Sequence, residues 1–199
     1  MKDAAATRAR ILDGALVSFS ARGYGATSLD SLAGGLGLRK QTILHHFGTK
    51  EGLLMAVVDH SAAELGGALE VALARAGPGF DRVEALVRAV FRLAARRPEL
   101  LGLLREVSRL GPPTATRLVE VLDPLVVRAG AFLEEEMAAG RMRRHDPRLL
   151  LLSVYSTVIG AATEVEVLRA VGVDPTARTL VRRRTELLGF LRCALVAEP

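Results

Sequence analysis

Apolar positions recur at three- and four-residue intervals along almost the whole chain, and no segment alternates β-branched with polar residues as a half-buried strand would. Ile11, Leu12, Ala15, Leu16 and Phe19 form one side of a predicted helix over 5–22. Leu29, Leu32, Ala33 and Leu36 fall at the i, i+3, i+4, i+7 spacing of a shorter helix, which Ser28 can open by accepting from its first free N–H groups. Gly37 stands where the chain must turn sharply, since a residue without Cβ takes a positive φ at no steric cost. In the short helix that follows, Leu38, Ile43 and Phe47 point inward. Arg39, Lys40, Gln41, Thr42, His45 and His46 are left on its outer face or at its N-terminal end. Residues 27–50 thus read as a helix-turn-helix followed by the start of a further helix.

From Thr49 the pattern predicts a long helix to about residue 76, stopped by Gly77-Pro78-Gly79, and then helices over 81–96, from Pro98 to about 110, and over 116–139 with Gly140 as its stop. The last two helices each open with Asp-Pro, at Asp146-Pro147 and Asp174-Pro175: an acceptor at the N-cap, then proline at the first helical position. The first of them, 147–171, is apolar nearly all round in its first half, through Leu149, Leu150, Leu151, Leu152, Val154, Tyr155, Val158 and Ile159. Such a helix needs partners on two sides. One is the chain's own core; the other, where Gly160, Ala161 and Ala162 permit close approach, is a second copy of the protein. The final helix, 175–196, has a narrower stripe of Leu180, Leu187, Leu188, Leu191 and Leu195. The expected dimer interface therefore includes Leu151, Tyr155, Val158, Ala162, Leu188 and Leu191. The expected architecture is all-α with about nine helices.

Composition changes this picture little. A chain of 199 residues, half of them hydrophobic, holds one full-sized unit or a small domain joined to a larger one. The single cysteine, Cys193, excludes a disulfide framework and fits a reducing cytoplasm. No apolar run reaches signal-peptide or membrane-span length, so a cytoplasmic protein with no membrane partner is expected. The net charge of +5 comes almost wholly from arginine, with lysine only at 2, 40 and 50; as a sign of nucleic-acid binding it is mild.

The chemistry-bearing residues point the same way. Adjacent His45 and His46 project about 100° apart around a helix and cannot chelate one ion as an i, i+4 pair would, so no metal site is expected. His60 and His145 are isolated, and no acid–base pair, metal cluster or activated nucleophile stands at workable spacing; the expectation is no catalytic residues, no cofactor and no enzyme. Arg39, Lys40 and Lys50 cluster at the ends of one short helix, where cations meet phosphate, and Gln41, Thr42 and His45 leave its N-terminal half, where base edges come within reach.

The string from Gly37 to Leu54, Gly-Leu-Arg-Lys-Gln-Thr-Ile-Leu-His-His-Phe-Gly-Thr-Lys-Glu-Gly-Leu-Leu, resembles the DNA-binding signature of the TetR family of bacterial transcriptional regulators. Arg10-Ile11-Leu12 with Ala15, Phe19 and the Arg22-Gly23-Tyr24 exit is similar to that family's first helix, and Thr27-Ser28 to the Thr-Thr pair that opens its second. The likeness covers about 50 residues. Two positions depart from it. Leu44 replaces a tyrosine that touches the DNA backbone, and Arg39 replaces a serine or threonine cap.

The resemblance implies an N-terminal three-helix head at 1–50, with the fourth helix leading onward, and a helical ligand-binding and dimerisation body at 51–199. The implied function is a ligand-responsive, homodimeric repressor on a palindromic double-stranded operator, released by an unknown, partly apolar small molecule whose binding residues remain unassigned. Ser28, Arg39, Lys40, Gln41, Thr42, His45, His46 and Lys50 form the expected DNA-binding set. A helical adaptor that does not bind DNA is the alternative, and an all-α enzyme a more distant one.

Overall fold

The apolar periodicity becomes ten helices, with no strand among the described residues, in the computed structural model, which describes residues 2–197. They are α1 (Lys2–Arg22), α2 (Leu29–Leu36), α3 (Lys40–Phe47), α4 (Lys50–Leu73), α5 (Phe80–Arg96), α6 (Pro98–Leu110), α7 (Thr114–Ala138), α8 (Pro147–Thr163), α9 (Val165–Ala170) and α10 (Ala177–Leu195). The all-α reading holds. The expected count of about nine becomes ten, because the predicted helix over 147–171 breaks at Glu164, which takes ψ 78. β-Branched Thr163 and Val165 flank the break, and Thr163 Oγ1 donates to the Ile159 carbonyl (2.8 Å), a side-chain bond that competes with helix continuation.

The two Asp-Pro starts behave differently. Asp146 caps α8 as expected, its side chain accepting from the N–H groups of Arg148 (2.9 Å) and Leu149 (3.0 Å). Asp174 does not cap α10. Thr176 does, accepting from Thr179 N–H (3.2 Å) while Thr179 Oγ1 accepts from Thr176 N–H (2.8 Å). This reciprocal box satisfies two donors at once, so it displaces a single aspartate cap two residues upstream. Asp174 contributes only its backbone carbonyl, which accepts from Thr179 Oγ1.

The helices form two compact units. The first runs to Leu65 and takes in Glu99–Leu122; the second takes Gly66–Pro98 and everything from Asp123. In the first, α1 packs on α2 and α2 on α3 around Ile11, Leu16, Phe19, Ile43, Leu53 and Val57, all within 1 % of full burial. α6 belongs to this unit, with Leu100, Leu101, Leu103, Leu104 and Val107 buried, and it passes very close to α1: a Cβ on Gly102 would lie 2.1 Å from Ser20 Oγ. A side chain there would require the Ser20 hydroxyl to turn away.

In the second unit α5, α8 and α10 pack on one another, burying Val83, Val87, Phe91, Val158, Ala162, Leu187, Leu191 and Leu195. The chain leaving α7 is pinned here. Glu136 is 4 % exposed, and Arg141 grips its carboxylate with Nε (2.8 Å) and Nη2 (2.9 Å), which holds the carboxyl below the usual carboxylate range. Next to it, Met142 bridges to Val196 and Arg143 N–H donates to the Leu195 carbonyl (2.8 Å).

Replacing Arg141 with alanine takes both guanidinium donors from the Glu136 carboxylate and should destabilise the fold. A depressed carboxyl pKa contributes stability that is present above the ordinary carboxylate range and lost as pH falls through the folded value. Thermal denaturation of parent and Arg141→Ala should therefore differ at neutral pH and converge in acid. A gap that stays constant down into acid would assign the effect to packing alone.

Candidate nucleic-acid interface

Three local devices set the geometry of α2 and α3. Ser28 has an extended backbone (φ −93, ψ 154) and its Oγ accepts from Ser31 N–H (3.0 Å), which fixes where α2 begins. Thr27 is buried, with Oγ1 donating to the Gly23 carbonyl (2.9 Å). Gly37 closes α2 in the left-handed conformation (φ 64, ψ 30), and Leu38 N–H then reaches back to the Ala33 carbonyl (2.9 Å). The turn so made redirects the chain into α3, whose N-cap Arg39 makes no side-chain capping bond. Free N–H groups at such an end suit a phosphate.

Around α3, Ile43 is fully buried while Leu38, Leu44 and Phe47 are half-buried. The opposite face carries Gln41 and His45, both exposed and one helical turn apart, flanked by half-buried Thr42 and His46. The two histidine rings lie 5.5 Å apart at 70°, and the Arg8 guanidinium sits 5.3 Å from the centre of the Phe47 ring. Arg39 and Lys40 are exposed at the N-terminal end. Lys40 Nζ is not idle: it pairs with Asp30 Oδ2 at 2.9 Å, from the first turn of α2. Both groups are largely in solvent, so the pair is weak and exchangeable.

Lys50, at the start of α4, lies with Nζ 4.2 Å from the centre of the Tyr24 ring. Tyr24 in turn donates its hydroxyl to Glu51 Oε1 (3.1 Å) and stands edge-on to Phe19 at 5.4 Å. Burial, then the bond to Glu51 and its negative charge, push the phenol up to about 12. Glu51 is held below the usual carboxylate range by its own backbone N–H first, then by Tyr24 and Thr49. Thr49 caps α4, accepting from Gly52 N–H at 2.9 Å.

Ser28, Arg39, Lys40, Gln41, Thr42, His45, His46 and Lys50 therefore fall on three consecutive elements: the α2 cap, α3 and the α4 start. Asp30, Tyr24, Glu51 and Arg8, which orient or neighbour them, were not singled out from the sequence as site residues. The helical register could have placed Asp30 one turn from the α2 cap; the others depend on tertiary packing. Among the described residues no group of three or more His, Cys, Asp and Glu is placed to hold a metal ion, and no helix is long and apolar enough to cross a membrane.

The six residues expected at a dimer interface occupy three environments. Val158, Ala162 and Leu191 are buried inside the chain, Leu151 and Leu188 are half-buried, and Tyr155 is 47 % exposed. The outer sides of α8 and α10 instead present Leu149, Leu152 and Phe190, each 60 % exposed or more.

Residues 11–57 match the family model of the bacterial regulatory proteins of the tetR family. No curated protein matches the sequence. Among solved structures, the chain is similar to a TetR transcriptional regulator from Chloroflexus aurantiacus J-10-FL, with 24% identity, a TM-score of 0.80 and all of both chains covered. It is also similar to AibR in complex with isovaleryl coenzyme A and operator DNA (20% identity, TM-score 0.77, covering 92% of this chain and 96% of that one). FadR from Bacillus subtilis in complex with stearoyl-CoA gives 19% identity and a TM-score of 0.76, with the same coverage. At these identities the likeness is one of fold. Residues 11–57 thus fit the family model of the bacterial regulatory proteins of the tetR family, and the whole chain shares the fold of solved structures of such regulators.

Proposed function

We propose that the chain is a homodimeric, ligand-responsive transcriptional repressor of the cytoplasm that binds a palindromic operator, with residues 1–50 as the DNA-binding head and 51–199 as the ligand-binding and dimerising body. The observation that carries this reading is the outer face of α3: Gln41 and His45 exposed one turn apart, with Arg39 and Lys40 at the free N-terminal end and Lys50 just beyond the C-terminal one. That arrangement lets one short helix enter a major groove while cations at both ends meet the flanking phosphates. Ser28, Thr42 and His46 complete the contact set. The complexes of AibR with isovaleryl coenzyme A and of FadR with stearoyl-CoA make acyl thioesters the first compounds to try as the partly apolar effector.

Phosphate contact makes binding strongly salt-dependent. Against a duplex recovered by the protein from a randomised library, log K should fall linearly with log[salt], and Lys50→Ala should reduce the slope by about 0.9. An unaltered slope in that variant would take Lys50 out of the contact set.

Base preference belongs to the middle of the exposed face. Duplexes selected by Gln41→Ala should show relaxed preference at one position of each half-site while keeping the others. Identical preferences at every position would mean that Gln41 reads nothing.

Dimerisation is assigned to the outer sides of α8 and α10, because Leu149, Leu152, Tyr155 and Phe190 stand exposed there and large apolar side chains left in solvent on neighbouring helices suit a self-complementary interface. Arginine at Leu152 or Phe190 should yield folded monomers by sedimentation, with loss of operator binding, since two heads must reach half-sites about one helical turn of DNA apart. A variant that remains dimeric would place the interface on another face.

A further inference from the structure

The loop between α1 and α2 is held by a residue 82 positions further along the chain. Glu106 of α6 accepts from the Tyr24 backbone N–H with Oε1 at 2.8 Å, and that oxygen would lie 3.2 Å from a Cβ on Gly23, which has φ 83. One turn earlier on α6, Gly102 lies close against Ser20 of α1, where an added Cβ would come 3.3 Å from the Ser20 Cβ. Two successive turns of α6 therefore seat on the exit of α1. Tyr24 is held at three points: its N–H is bound to Glu106, its hydroxyl to Glu51, and its ring stands in a T-shaped contact with Phe19. On the face of this fixed ring rests the Lys50 ammonium, 4.2 Å from the ring centre.

A lysine on a four-carbon stem has many rotamers, and in water each of them competes with the one that reaches a phosphate. A ring fixed beneath the ammonium selects among them before DNA arrives. We infer that Glu106 is a positioning residue for DNA binding, fixing Tyr24 so that Tyr24 presents the Lys50 ammonium to a phosphate. This inference rests on the reading above that Lys50 meets DNA. It gives α6 a direct role in the strength of that contact, through a carboxylate that itself touches no nucleotide.

The test is a double-mutant cycle on the full chain, with a random-sequence 40-bp duplex as probe, because phosphate contact is independent of sequence. In the parent, Lys50→Ala should lower the slope of log K against log[salt] by about 0.9. Glu106→Ala should remove most of that same step by itself, and adding Lys50→Ala to it should then change the slope little. Glu106→Gln keeps an oxygen acceptor for the Tyr24 N–H and should restore parental behaviour. Circular dichroism confirms that each variant is folded, and Glu106→Gln keeps the cycle informative if the alanine variant is unstable. If Lys50→Ala still removes its full step in the Glu106→Ala background, Glu106 acts on stability alone and the inference is overturned. If Lys50→Ala leaves the parental slope unchanged, it is the phosphate reading of Lys50 that fails, and the inference falls with it. Those two failures are read from different arms of the cycle.

Discussion

Burial of Ile43 is the interaction on which the exposed face of α3 depends. An isolated helix of eight residues has no independent stability in water, because nucleation costs more than so few backbone bonds return. α3 also lacks a side-chain N-cap and keeps its polar face in solvent. It persists because Ile43 is fully buried and because the left-handed Gly37 aims the chain so that this burial can happen. α1, α2 and the start of α4 form the support behind it, with Phe19, Leu16, Leu53 and Val57 buried. The exposed face of α3 is what remains after that requirement is met.

Charge around this surface is arranged with restraint. Two of the three lysines of the chain lie here, and each has an assigned place before DNA is present: Lys40 against Asp30, and Lys50 over Tyr24 and next to Glu51. A neighbouring carboxylate lowers attraction for any polyanion, while an exposed pair is cheap to exchange for phosphate once shape and base contacts fit.

Arginine, the bulk of the positive charge, is used differently. Arg141 grips buried Glu136 with two nitrogens, and Arg117 joins Asp59 and Glu120. Arg8, Arg82 and Arg192 lie over the rings of Phe47, Phe132 and Phe80. A planar guanidinium suits both tasks, fork-like bonding and stacking. Some of the arginines thus serve internal cohesion, and the overall +5 is a weaker signal than the placement of a few groups on α3 and α4.

The sequence by itself determined what depends on neighbours a few residues apart. The helical periodicity, the caps at Ser28, Thr49 and Asp146, the glycine turn at 37 and the division of α3 into a buried Ile43 and an exposed Gln41–His45 side all follow from i to i+4 relations and backbone sterics. Where two local solutions competed, the pattern could not rank them: Thr176 with Thr179 displaced Asp174, and the helix over 147–171 divided at Glu164. Tertiary structure alone decided what covers each apolar stripe. Val158, Ala162 and Leu191 face the interior of their own chain while Leu152 and Phe190 face solvent, because periodicity marks a side as apolar without naming its partner. It also decided the pairing of Glu106 with Tyr24, since a bond across 82 residues exists only after both helices have packed, and nothing in either local sequence encodes it.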